Sequence, residues 1–400
     1  MAVDWSKLPT ELLGLIALRL ISVVEIQRFR SICPSWRSSV SFADINNPLL
    51  HIHPNPLSVI LRTKDNELIG LHGGASLSGA SFSRVTLSSS SSSSSSTKSW
   101  LIKYDSYAEL NPGTLRLLNP LSRLRFHRRF KFVDLMKFTV SEIQPSYTIH
   151  SHCSKKADLG FKRVVVAREH LVDGVNHQVL GVCTDGRIRY WNGVTWTRVK
   201  DQVAHFHDII IHQGLPYALD SRGILWWISS RRGIFRFGPQ LDDDVAESCS
   251  WRRLRSLVGG SCGKFYIVDR IVENNERRSK GNTVDPRYIE MLHDDVGNTR
   301  GEAFRGHFYY TTVGFKVYTV DDDLWRWVVV KNLGDNAFVI GDEACLAVKA
   351  DEFYGCLPGS IYFCDEGECE IKVFKLDDGS IETMSGGSQS CFQMFVPSFD

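Results

Sequence analysis

The sequence predicts an α + β multidomain chain: a small three-helix unit over residues 4–41, a linker over 42–57, and a propeller-like all-β domain of six or seven blades over 58–399. Three observations predict it. Apolar residues recur at helical spacing only near the start of the chain. Beyond the linker, short alternating runs are punctuated by Gly-containing tight turns. A tryptophan-led tetrapeptide also recurs along the β region.

The helices come first. Leu12, Leu13, Ile16 and Leu20 fall on one helical face, with Pro9 near the start, where a missing N–H costs nothing. Ser22-Val23-Val24-Glu25 has the form of a capping box opening a second helix that buries Ile26, Phe29 and Cys33. Pro34 ends that helix and begins a third, carrying Trp36 and Val40. Helices this short are marginal alone in water, so their apolar faces need each other or a partner. Asn46, Asn47, Pro48, Pro54 and Pro56 mark the linker.

The β region is read from its turns. Val179–Cys183, Ile188–Trp191 and Thr195–Val199 are separated by Asp185-Gly186 and Asn192-Gly193, which supply positive φ angles, so they form a three-stranded meander. Asp208–His212, Tyr217–Asp220 and Ile224–Ile228 repeat the form around Gln213-Gly214 and Arg222-Gly223. Later strands are Phe315–Val320, Trp325–Val330, Ile361–Cys364 and Ile371–Leu376, the last followed by Asp378-Gly379. Trp196-Thr197-Arg198-Val199, Trp251-Arg252-Arg253-Leu254 and Trp325-Arg326-Trp327-Val328 start 55 and 74 residues apart. Removing the charged 274–300 stretch leaves a period of about 45–50 residues, the length of a four-stranded blade. A β-sandwich with unrelated tryptophans is the alternative. The Ser88–Ser96 run, within 87–98, and the 274–300 stretch are expected to be disordered loops.

Composition narrows the function classes. Of 400 residues, 43% are hydrophobic and 23% charged, as in a globular protein, and the net charge of +2 offers no nucleic-acid-binding field. No apolar run reaches the roughly 18 residues of a membrane span. The ten cysteines are unevenly spaced, and no signal peptide precedes them. An intracellular chain with reduced thiols, in the nucleus or cytoplasm, is the expectation.

Leu8-Pro9-Thr10-Glu11-Leu12-Leu13, Ile16, Leu20, Arg28-Phe29-Arg30-Ser31-Ile32-Cys33 and Trp36-Arg37 together resemble the F-box motif, with Pro34 where many members have a basic residue. The resemblance implies docking on a Skp1-like adaptor, and through it on cullin and RING subunits. Leu8, Pro9, Glu11, Leu12, Leu13, Ile16, Leu20, Ile26, Phe29, Arg30, Cys33 and Trp36 are the implied contacts. Leu8, Pro9, Leu12, Leu13 and Ile16 are the expected anchors, since helix-in-groove docking uses aliphatic residues four apart. Trp36 either closes the helical trio or touches the partner. Leu118-Asn119-Pro120-Leu121, Phe206-His207-Asp208-Ile209-Ile210, Tyr217–Gly223, Phe315-Lys316-Val317-Tyr318, Leu333-Gly334-Asp335 and Gly341-Asp342 are similar to the plant KIB-type β-propeller domain that follows F-boxes.

Residue chemistry argues against an enzyme. His150-x-His152-Cys153 lacks a second cluster at zinc spacing, and Cys356, Cys364 and Cys369 read as strand or turn thiols. Asp242-Asp243-Asp244 and Asp321-Asp322-Asp323 sit where turns are expected and lack the spaced oxygens of a calcium loop. The basic run Arg123, Arg125, Arg128, Arg129 and Lys131 reads as an exposed strand face. No phosphate-binding loop or nucleophile elbow is present. The expectation is a non-enzymatic ubiquitin-ligase adaptor without metal or cofactor, delivering an unidentified target. A ligase-independent binding protein or transcriptional co-regulator is the alternative, with a carbohydrate-active propeller behind it.

Overall fold

The computed structural model describes residues 5–17, 29–39, 60–62, 68–70, 75–87, 98–106, 115–121, 138–151, 161–171, 174–192, 196–241, 251–260, 263–274, 310–321, 323, 325–365, 370–384 and 394–395. Outside them lie Leu20, Ile26, the predicted capping box, Val40, the linker, the serine run and the 274–300 stretch. The basic run, Asp242–Asp244, His152, Cys153, Asp322 and Cys369 lie outside as well.

At the N terminus a 3-10 turn, Trp5–Lys7, precedes α1 (Thr10–Ala17), and a short helix, α2 (Pro34–Ser38), follows. Among the described residues, all other regular structure is strand, apart from the helical residues 29–31 and a 3-10 turn at Ala350–Glu352. A two-stranded hairpin pairs Ile60–Arg62 with Leu68–Gly70. The remaining strands form sheets of eight, four, four and five strands.

The eight-stranded sheet consists of two four-stranded halves joined by one pairing, Tyr147 opposite Val164. One half orders Phe138–Ser151, Ala75–Leu87, Trp100–Ser106 and Leu115–Leu118; the other is the meander Phe161–Leu171, Gly174–Cys183, Ile188–Trp191 and Trp196–Arg198. Two antiparallel meanders follow, one starting at Phe206–His212 and the other at Trp251–Gly259. The last sheet contains a parallel pair, Phe338 opposite Ile361. Five blade-like units therefore lie among the described residues, where the tryptophan period and chain length predict six or seven for the whole chain.

The three tryptophan tetrapeptides are not structurally equivalent, although the inner strands at Phe161, Phe206 and Trp251 do start 45 residues apart. Trp196 and Trp325 stand at the start of the outermost strands of their units, whereas Trp251 begins an innermost strand. Strands of 11 to 14 residues, such as Phe138–Ser151 and Phe161–Leu171, occur in three of the five units.

Four of the predicted turns fold as their chemistry requires, while Gly193 of the Asn192-Gly193 turn lies outside the described residues. Gly186, Gly214, Gly223 and Gly379 all have φ between +70° and +80°. At Gly223 a Cβ would also stand 2.5 Å from Leu241 Cβ, so glycine is needed there for space as well as for conformation. The Asp321–Asp323 stretch is turn chemistry, with the Asp323 N–H donating to Asp321 Oδ1 at 3.0 Å.

Backbone hydrogen bonds run mainly within sheets, so side chains must hold the sheets to one another. First and last units meet through a core that joins Phe82, Leu101 and Leu121 to Val339, Leu346, Phe353, Tyr362 and Phe395. Leu101 N donates to Met394 O at 2.7 Å, and Tyr354 N to Ser99 O at 2.9 Å. Buried inside this seam, Lys103 Nζ lies 2.6 Å from Glu343 Oε2, with Thr148 Oγ1 donating to the same carboxylate. Between the last two sheets, buried Asp365 accepts from Arg270 Nη2 at 2.8 Å, Lys372 Nζ at 2.6 Å and Thr312 N at 3.0 Å. Burial pushes the Asp365 pKa up, but Lys372, Thr312 and Arg270 together hold it below the usual carboxylate range.

Two predictions follow from these seams. Lys103→Met leaves Glu343 buried and charged and lowers stability by about 3–5 kcal/mol, and Lys103→Met with Glu343→Met recovers part of that loss in urea unfolding. The Asp365 contribution is complete above its unfolded-state pKa of about 3.9 and is lost as pH falls through the lower folded value. Asp365→Asn should therefore unfold more easily at neutral pH and show a shallower acid limb in a stability-versus-pH series.

Candidate functional site

Among the described residues, the N-terminal unit has a very small core. Leu13 and Ala17, four residues apart on α1, are buried with Phe29, and half-buried Leu8 and Trp36 pack against them. The Phe29 and Trp36 rings lie 4.6 Å apart, and Trp36 Nε1 donates to Trp5 O at 3.0 Å. Arg30 Nη1 donates to Arg37 O at 3.2 Å and Arg37 Nε returns to Arg30 O at 3.3 Å, tying α2 to the end of the preceding helical turn. Cys33 holds the N-cap position of α2 without a side-chain cap bond, its Sγ lying 3.0 Å from Ser35 Oγ. Trp36 thus packs on the small core formed by the described helical residues.

A second stripe on α1 faces outward. Leu12 and Ile16 are 47% and 37% exposed, and Trp5 and Ile32 reach 61% and 57%. Pro9 and Glu11 are exposed beside them. Sequence reasoning placed Leu12, Leu13 and Ile16 on one face; the helix turns Leu13 into the unit's own core and leaves the other two outside. It passed over Trp5 and Ile32, whose signal was their size and apolarity at the edges of the motif.

Burying a Leu- or Phe-sized side chain contributes about 1.5–3 kcal/mol, while ordering each backbone residue costs about 1–2 kcal/mol. Leu13, Ala17 and Phe29 fall well short of offsetting that cost across the described helical residues. A surface that can take a further apolar partner is what the arrangement provides.

The β domain presents a second feature, a cavity of about 650 Å³ where its innermost strands converge. Its lining residues come from Phe138–Ser151, Phe161–Leu171, Phe206–His212, Trp251–Gly259 and Cys345–Lys349, one strand from each unit. Such convergence around an axis is the arrangement of a propeller. Arg163 sits in the wall, its Nε 2.9 Å from Asp208 Oδ1 and its Nη2 3.2 Å from Cys345 Sγ. Asp208 also accepts from Leu257 N at 2.8 Å, so the network reaches four of the five inner strands. Burial lowers the Arg163 pKa, but Asp208 and Cys345 together hold it above its ordinary value, so the guanidinium stays charged. Burial pushes the Cys345 thiol up, keeping it protonated.

Among the described residues no group of three or more His, Cys, Asp or Glu side chains is placed to hold a metal. No described helix is long and apolar enough to cross a membrane. Cys356 and Cys364, both partly buried, pack against the seam core.

A sequence profile of the KIB1-4 beta-propeller family matches residues 75–378, beginning at the first long strand. An F-box protein of Arabidopsis thaliana is 43% identical over 433 residues, covering 99% of both chains. A putative F-box protein of the same plant is 43% identical over 406 residues with the same coverage. A probable F-box protein, again from Arabidopsis thaliana, is 40% identical over 405 residues, covering 99% of this chain and all of its own. The matches span both the helices with their outward stripe and the converging sheets, and the chain belongs to the family of plant F-box proteins that carry a KIB1-4 β-propeller.

Proposed function

We propose that this chain is the substrate-receptor subunit of a Skp1–cullin–F-box ubiquitin ligase, acting in the nucleus or cytoplasm. The observation that carries the reading is the outward Leu12–Ile16 stripe, flanked by Trp5 and Ile32, on a helical unit too small to be self-sufficient. An apolar pair four residues apart on a short helix suits docking into a groove between helices of a Skp1-like subunit, with Pro9 and Glu11 at its rim. Through that subunit the chain would join cullin and RING subunits. Leu13, Phe29 and Trp36 would then hold the docking helix in shape from behind.

In this role the chain needs no catalytic group. The propeller would hold the target protein, and tethering raises the target's effective concentration at the ubiquitin-charged enzyme. Ubiquitination and proteasomal degradation of the target would follow.

Co-purification of the full chain with a Skp1-like protein tests the reading. Anchors at a docking face each contribute about 2 kcal/mol or more, so Leu12→Asp with Ile16→Asp should weaken capture on the order of a hundredfold or more. Val203→Asp, at an exposed propeller position, should leave capture unchanged. Equal capture of wild type and the double variant by the Skp1-like protein would contradict the proposal.

A further inference from the structure

Positive charge is concentrated at the end of the propeller where the inner strands Phe161–Leu171, Phe206–His212 and Trp251–Gly259 begin. A row of hydrogen bonds fixes this end. Arg187 Nη1 donates to Ala204 O at 3.0 Å and Phe206 N to Gly186 O at 2.8 Å, tying the turn after Gly174–Cys183 to the start of the next unit. Ser221 N donates to His205 O at 2.8 Å, and Arg255 Nη1 to Ser221 O at 2.9 Å, which carries the row to a third unit. Exposed Lys162 joins it at the start of its own inner strand.

Six cationic side chains, Lys162, Arg187, Arg189, Arg222, Arg253 and Arg255, stand here against Asp185, Asp220 and Asp269. The whole chain has 47 Lys and Arg against 45 Asp and Glu, so this excess is local. The carboxylates are already committed. Asp185 takes both arms of Arg189, at 2.9 and 2.6 Å. Buried Asp269 is shared between Arg255 Nε at 2.7 Å and Arg253 Nη1 at 3.6 Å. Buried Asp220 accepts from Arg222 N and Ile224 N at 2.9 Å and from Trp226 Nε1 at 3.0 Å. The Arg222 guanidinium stands 3.8 Å from that carboxylate, and its side chain is 55% exposed.

Nearby charges leave the excess in place. Arg163 cancels Asp208, and Lys200 cancels Asp201 on the same connection as Ala204. Glu273 lies about 13 Å along the strand from Asp269, beyond the roughly 8 Å screening length at physiological salt. Half-buried His207 registers the result. Burial lowers its pKa, and Lys162 and Arg255 lower it further against the pull of Asp269 and Asp208.

Such a surface attracts an anionic partner. A polynucleotide fits it poorly, since a phosphate backbone is held by a stripe of extended cations. Here Lys162 and Arg222 are exposed, while the other four are half-buried and held in orientation. Oriented guanidinium forks match the planar carboxylates of a short protein segment.

We infer that this end of the propeller docks a short acidic segment of a partner protein, its carboxylates meeting Lys162, Arg187 and Arg222 across neighbouring units. Only the naming of that partner as a ligase target rests on the adaptor reading; the docking is a property of the propeller.

Fluorescence anisotropy of labelled hexaglutamate with the full chain tests the inference without any Skp1-like protein, so the two readings fail separately. Saturable binding that weakens as salt rises is expected, with hexaglutamine at least about tenfold weaker. Lys162→Glu with Arg222→Glu should weaken hexaglutamate binding by about tenfold or more. Arg231→Glu with Lys264→Glu makes the same charge change at exposed turns on the opposite end, and should leave binding within about twofold. Should the first pair not fold, Arg222→Ala carries the prediction at about threefold. No saturable binding, or equal weakening by both pairs, would overturn the assignment. Tighter binding of a thymidine hexanucleotide than of hexaglutamate would overturn it too, and give the surface to nucleic acid.

Discussion

The propeller depends on one buried ion pair more than on any other contact. Arg163 and Asp208 join neighbouring inner strands, and their remaining bonds to Cys345 Sγ and Leu257 N extend the link to two more. Each sheet satisfies its own backbone ladder, so the ladders offer little to hold one unit against the next. Apolar seams supply much of that attraction, but they are non-directional. A guanidinium bound at fixed angles by a carboxylate and a thiol sets where the inner strands stand. The same geometry leaves Nη1 buried without a hydrogen-bond partner.

The N-terminal unit is organised on the opposite principle. Its core of Leu13, Ala17 and Phe29 is closed by Trp36, and larger apolar side chains are left facing outward. Ring closure in the propeller instead buries Lys103 and Glu343 inside an extensive apolar seam. A domain that keeps its charges paired and covered can hold shape alone. A unit that keeps Leu12, Ile16 and Ile32 exposed gains most from a partner.

Local chemistry was legible in the sequence, and long-range placement was not. The glycines at 186, 214, 223 and 379 announced their turns because a positive φ is a property of one residue and its neighbours. The helical motif was legible as a set, yet spacing alone did not separate Leu13 from Leu12, which lie about 100° apart on α1 and end on different sides of the unit. The tryptophan tetrapeptides did not mark equivalent positions, because they occupy inner and outer strands. Nothing local marked Arg163 or Glu343 either. Their significance comes from strands brought together across more than 180 residues, as in the Arg163–Cys345 contact. The parallel pairing of Phe338 with Ile361 is likewise a crossover that no turn signal encodes.

The central claim is that attachment and recognition reside in separate surfaces of this chain. Hydrogen–deuterium exchange of the full chain, with and without a Skp1-like protein, tests it most directly. The account predicts protection concentrated in residues 5–39, around α1, with exchange in the inner propeller strands unchanged. Protection spread over the inner strands, with α1 exchanging as freely as before, would contradict it.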